Sequence, residues 1–221
     1  VTIGLPGIDR LPSLDRARAG EHGITIGDFL VPIRISERLN VRARHLALIL
    51  AGTLLIALGA QISIAIPGSP VPITGQTFGV LIAGGALGFR RGIAATGLYV
   101  LLGIFGIPLF AQHSAGLDVI LGASGGYLIG FIVAGAIVGR LAELGWDRNL
   151  VGAIGAMLLA SVAIYAIGVP WLAATAFDGD LSQAVAAGLT PFILGDSIKL
   201  LLAAAAFPAA WWVVGRRPGD R

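Results

Sequence analysis

Cysteine is absent from this chain of 221 residues, which excludes disulfides, thiolate nucleophiles and thiolate metal sites. Charge is scarce too. Asp, Glu, Lys and Arg together make up 12% of the residues, about half the share of an ordinary soluble domain. A soluble protein of this length would need more charge to cover its surface. Lysine occurs once, as Lys199. The three histidines form no HExxH motif, and on the sequence reading none lies in a helix, so a metal or hydrolase site is not expected and the chain reads as a non-enzyme without a cofactor. The nucleotide-binding pattern GxxxxGK[ST] is missing, so any ATP hydrolysis linked to this protein belongs to a partner.

What is present is apolar. Hydrophobic residues make up 56% of the chain, and its mean hydropathy is +0.89. The 33 glycines suit membrane helices, where small residues let backbones approach closely. Residues 1–45 differ from the rest. They hold seven arginines, five acids and three prolines, and read as a cytoplasmic extension, partly disordered, in which 24–39 can lie on the membrane surface. The first residues lack the charged-then-apolar pattern of a signal peptide.

From residue 46 onward the charges nearly vanish. Residues 46–66 form an uncharged run long enough to span a bilayer core. Five further apolar segments follow: a short run ending at Phe89, then 92–107, 119–139, 150–172 and 191–215. The run ending at Phe89 and 92–107 are short for a span and call for tilt or partly non-helical backbone. The reading is therefore an all-α membrane protein of six helices over 46–215, with a tail at 216–221.

The basic residues give an orientation. With six spans, one side receives fourteen of the fifteen Lys and Arg residues, and the other side's connections at 67–74, 108–118 and 173–190 contain none. Cytoplasmic loops carry the Lys/Arg excess, so both termini are expected inside a prokaryotic plasma membrane. The pI near 9.9 thus reflects topology rather than nucleic-acid binding.

Lys199 is the basic residue that topology does not explain. It lies within the sixth apolar segment, three residues after Asp196 and so on the same helical face. One reading is an intrahelical ion pair with the lysine reaching outward. The other is a polar site facing the bundle interior, because a charge near a helix centre costs about 2.5–3.5 kcal/mol on insertion scales. A second polar island is Thr74, Gln76 and Thr77, directly after Pro70 and Pro72. Irregular backbone at that depth is tolerated where it lines a cavity, although a capped helix start would use the same residues. A third feature is the glycine-rich stretch GASGGY at 122–127.

The stretch PVPITGQTFGVLIAGGALGFRRGIAATGLYVLLGIFGIPLF, then GASGGYLIGF and later FILGDSIK, resembles the BioY family. These are biotin-binding membrane subunits, or S components, of energy-coupling factor (ECF) transporters. The resemblance implies biotin uptake with a transmembrane T component and two ATPases. It also implies a ligand site built from Thr74, Gln76 and Thr77 beneath an external loop, Gly125, Gly126 and Tyr127 of the GGY element, and Asp196 and Lys199 of the GDxxK motif. Ala43, Ala47 and Ala51 recur every four residues, and in S components a similar stripe docks onto the T component; packing within the same bundle would use such a stripe equally well. Three departures from the family pattern are the 45-residue N-terminal extension, longer than the family core requires, Gly75, often a larger apolar residue, and the polar Gln112-His113-Ser114. An S component for another vitamin or precursor, or a solitary biotin transporter, is the alternative.

Overall fold

A computed structural model of the protein describes residues 25–30 and 41–215. Most of the sequence reading of 24–39 and the tail at 216–221 lie outside these residues. The elements are α1 (Gly27–Leu30), α2 (Val41–Gln61), β1 (Ser63–Ile64), β2 (Ile73–Thr74), α3 (Gln76–Leu87) and α4 (Phe89–Ile104). They are followed by α5 (Leu117–Leu121), α6 (Gly125–Glu143), α7 (Leu150–Ala176), α8 (Leu181–Gly188) and α9 (Ile193–Gly215). Single 3₁₀ turns stand at Ala111–His113, Trp146–Arg148 and Thr190–Phe192.

Among the described residues, four stretches are long and apolar enough to cross a membrane: Arg42–Gln61, Gly125–Glu143, Leu150–Ala176 and Leu181–Val213, the last running through α8 into α9. The other two apolar helices are shorter, 12 residues for α3 and 16 for α4. The shortness of α3 has a packing reason. It touches α2, α4, α6 and α9, and nine of its twelve residues are buried. A helix enclosed by protein need not match the bilayer thickness.

Several boundaries differ from the sequence reading. Helix α2 begins at Val41, five residues before the uncharged run, and carries Arg42, Arg44 and His45 in its first turns. Histidine is therefore present in a helix, contrary to expectation. These residues are good or adequate helix formers, and long basic side chains reach the interface from a helix end. At the other end residues 62–66 leave the helix. Ser63 pairs with Thr74 and Ile64 with Ile73 in a short antiparallel ladder, which draws the Pro-rich loop back over the bundle. Arg90 and Arg91 lie in the first turn of α4, not between helices. The expected segment 119–139 is interrupted: α5 ends at Gly122, whose carbonyl accepts from the Trp171 indole at 3.0 Å, and α6 then runs to Glu143.

Close helix approach explains much of the glycine. A Cβ on Gly84 would meet the Gly135 carbonyl at 2.9 Å, and one on Gly130 would meet the Ile164 Cα at 2.9 Å. The first crossing joins α3 to α6 and the second joins α6 to α7, by the small-residue packing that membrane helices favour. Thr53 of α2 reaches across to the Ala95 carbonyl of α4 at 3.0 Å.

The arginines of the described residues collect at one end of the bundle. There Asp28 of α1 pairs with Arg91 at 2.7 Å, and Arg44 donates to the Asp28 carbonyl. Burial favours the neutral acid, but the hydrogen bonds from Arg91 and the Thr25 amide, with the charges of Arg91 and Arg44, outweigh it and hold the carboxyl below its ordinary range. Thr25 and Ile26 are buried and the Phe29 ring meets Trp211 edge-on, so this part of the N-terminal segment is docked on the bundle. Trp211 also donates to Asp147 at 2.7 Å and lies under the Arg148 guanidinium. Burial raises the Asp147 carboxyl above its ordinary range despite these partners.

Candidate functional site

The end of the bundle opposite the arginines contains a cavity of about 210 Å³. That is smaller than the roughly 300–1,000 Å³ usual for drug-sized ligands, so it suits a small occupant. Its wall comes from several parts of the chain. The Pro-rich loop and the start of α3 contribute Pro70, Pro72, Thr74, Gln76 and Thr77. The connection after α4 contributes Phe110, Gln112 and Ser114; α6 contributes Tyr127 and Phe131; and α7 and α9 contribute Tyr165, Asp196 and Lys199.

Six of the eight residues expected at the site therefore share one cavity wall. Gly125 and Gly126 do not. A Cβ on Gly125 would lie 1.7 Å from the Ile120 carbonyl oxygen, and one on Gly126 would lie 2.3 Å from the Trp171 Cβ. Their place is in the packing that seats the start of α6 against α5 and α7. That packing in turn aims Tyr127 at the cavity. The Tyr127 hydroxyl is committed to the Gly188 carbonyl at 2.8 Å, which leaves its ring as the surface offered to an occupant.

Asp196 and Lys199 form an ion pair at 2.7 Å, with side chains 11% and 18% exposed. The pair is intrahelical, as one reading has it, and both of its side chains line the cavity, as the other has it. The second carboxylate oxygen of Asp196 accepts from the Tyr165 hydroxyl. Tyr165 is 31 positions away on another helix, and sequence reasoning missed it. Its ring stacks edge-on with Tyr127 at 6.3 Å. A buried ion pair is favourable only when its remaining hydrogen-bonding capacity is met, and this pair keeps some unused. Lys199 carries three N–H donors, and each Asp196 oxygen has a second lone pair.

The second polar island is also internally bonded. The Thr74 hydroxyl donates to Gln76 Oε1 at 2.8 Å, and Gln76 Nε2 donates to the Tyr99 hydroxyl. Tyr99 reaches the Leu109 carbonyl at 3.3 Å, and Gln61 at the end of α2 donates to that carbonyl at 3.2 Å and to the Phe110 carbonyl at 3.4 Å. A chain of hydrogen bonds thus runs from the cavity wall through α4 to α2. It also pins the loop that carries Gln112, where Gln112 and His113 both have positive φ, 57° and 58°. Two successive non-glycine residues in that region are strained, and such strain persists only where the surroundings enforce it. His113 is exposed and is absent from the wall. Gly75 has a local cause as well: a Cβ there would lie 2.8 Å from the Gly59 carbonyl oxygen, so the loop crosses α2 glycine to glycine.

The N-terminal ends of α3 and α6 both open on the cavity, with Gln76, Thr77, Ser124 and Tyr127 in its wall. The positive ends of two helix dipoles and the Lys199 ammonium thus stand beside one carboxylate. This arrangement suits a ligand that carries an anionic or carbonyl group together with N–H donors. The expected stripe on α2 is partly outward: Ala47 and Ala51 are exposed and Ala43 half-buried, beside exposed Leu46, Leu50 and Leu54.

The sequence model of the BioY family matches residues 34–216. The chain is 40% identical over 152 residues to the biotin transporter BioY of Thermotoga maritima, covering 69% of this chain and 86% of that protein. It is 39% identical over 159 residues to a probable biotin transporter BioY of Pyrococcus horikoshii, covering 72% and 91%. Its fold superposes with a TM-score of 0.70 on the crystal structure of the S component for biotin from an ECF-type ABC transporter, at 27% identity over 79% of this chain and 93% of that one.

Proposed function

We propose, from the premise that this chain belongs to the BioY family, that it binds biotin in the cavity beside Asp196 and Lys199 and serves biotin uptake. The observation that carries the reading is the Tyr165–Asp196–Lys199 arrangement in the wall of a small cavity. Biotin has a ureido ring with two N–H donors and a carbonyl acceptor, an apolar body and a carboxylate. Asp196 accepts from N–H groups and Lys199 donates to a carbonyl or carboxylate, while Tyr127, Phe131 and Phe110 supply apolar contact. Thr74, Gln76 and Thr77 contribute hydrogen-bonding capacity from the loop that covers the site. Gly125 and Gly126 serve by placing Tyr127.

The likeness to an S component from an ECF-type ABC transporter supports uptake energised by an ECF module with a T component and two ATPases, and the ATPases would supply the GxxxxGK[ST] site that this sequence does not carry. The small-residue stripe of α2, with Ala47 and Ala51 exposed and Ala43 half-buried, supports this helix as the docking face. The protein crosses the membrane six times, α3 and α4 included, with both termini in the cytoplasm. The clustering of arginines at the end away from the cavity supports that orientation.

Calorimetric titration of the detergent-purified protein tests the assignment. Biotin is expected to saturate it at micromolar concentration or below, and thiamine and riboflavin are expected not to compete. Asp196→Asn and Lys199→Ala should each weaken binding by about tenfold or more, as removal of a charged hydrogen-bond partner does. Absence of saturation by micromolar biotin in the folded protein overturns the reading.

A further inference from the structure

At the arginine-rich end a second concavity, a groove of about 940 Å³, lies between α1, α2, the α3–α4 junction and α6. The cations in its wall are Arg90, Arg91 and Arg140, with His45, and its acids are Asp28 and Glu143. Both acids are already engaged: Asp28 with Arg91 at 2.7 Å, and Glu143 with Arg140 at 3.1 Å and with the Phe89 amide at 2.9 Å. Among the described residues of the wall, positive charge remains in excess. The N-terminus of the 16-residue helix α4 opens on the same groove, which adds the positive end of its dipole to two arginines in its first turn. One guanidinium nitrogen of Arg91 is buried with no hydrogen-bond acceptor among the described residues. Among the described residues, Arg44, Arg90, Arg91 and Arg140 stand around this groove with Asp28 and Glu143.

We propose that this groove binds the phosphodiester headgroup of an anionic phospholipid. Its two-part lining selects the lipid over a free anion. The basic groups stand beside apolar walls from Ile49, Leu87 and Phe89. A soluble phosphate gains nothing from such walls, whereas a lipid places its phosphate on the arginines and its glycerol and upper chains on the apolar side. Basic pockets between membrane helices on the cytoplasmic side take anionic headgroups for this reason. The proposal rests on the membrane embedding and orientation above and not on the identity of the cavity's ligand.

Native mass spectrometry of the full chain tests it, with phosphatidylglycerol and phosphatidylcholine of matched acyl chains. Phosphatidylglycerol is expected to bind about tenfold more tightly or better, and Arg90→Gln with Arg140→Gln should bring it down to the phosphatidylcholine level. Biotin titration of the same double variant should be unchanged, which separates a lost lipid site from a lost fold. Equal affinity for the two lipids, or a preference that survives the double substitution, overturns the proposal. So does displacement of phosphatidylglycerol by millimolar inorganic phosphate, which would assign the groove to a free anion. Intact lipid preference with loss of ATPase co-purification in the variant would assign those arginines to a protein contact instead, and equally overturn it.

Discussion

At the scale of single residues, the chemistry of the cavity concentrates on one carboxylate. Asp196 is held from two sides, by Lys199 one turn along its own helix and by Tyr165 from α7. Tyr165→Phe removes one donor and keeps the ring that meets Tyr127. Leaving a buried acceptor short of a donor costs about 1–3 kcal/mol, more when it is charged. The expected result is biotin binding weaker by about tenfold, read by calorimetry, with the protein still folded. Unchanged affinity would mean that the hydroxyl only fills space. The pair itself was legible in the sequence, because a three-residue separation on a helix fixes both side chains to one face. Tyr165 was not legible: no periodicity links it to a residue 31 positions further on.

At the scale of elements, the start of α6 shows how packing residues imitate site residues. The GGY stretch reads as ligand contact, yet Gly125 and Gly126 face protein backbone and the Trp171 side chain. Gly126→Ala would force a methyl group to within 2.3 Å of the Trp171 Cβ. Overpacking of this kind costs about 1–3 kcal/mol. A thermal midpoint several degrees lower in detergent is expected, and biotin binding should suffer only as far as Tyr127 is displaced. A midpoint equal to that of the unaltered protein would show that α6 shifts freely at this contact. Helix α3 carries the complementary lesson: a 12-residue helix is too short to be identified as a span by length, and its enclosure by four other helices makes the length acceptable.

At the scale of the whole molecule, the two ends differ in kind, one holding a small cavity with an ion pair in its wall, the other rich in arginine and linked by ion pairs to α1. The absence of cysteine makes the orientation directly measurable, because any introduced thiol is unique. Ser182→Cys and Leu144→Cys place exposed thiols at opposite ends. In intact cells a membrane-impermeant maleimide is expected to label the first and to reach the second only after lysis. The reverse pattern would invert the proposed topology.

The membrane character, the one-sided arginines and the Asp196–Lys199 spacing were all readable from the chain alone, because hydropathy, charge and helical periodicity are local properties that add along the sequence. Only the tertiary structure decided what surrounds them. It brought Tyr165 to Asp196, linked Thr74 to Gln61 through Gln76 and Tyr99, interrupted the fourth apolar segment at Gly122, and folded residues 25–30 onto Arg91. Each of these joins side chains from separate helices or loops. Such meetings depend on how closely glycine-lined helices can approach, which no local pattern records.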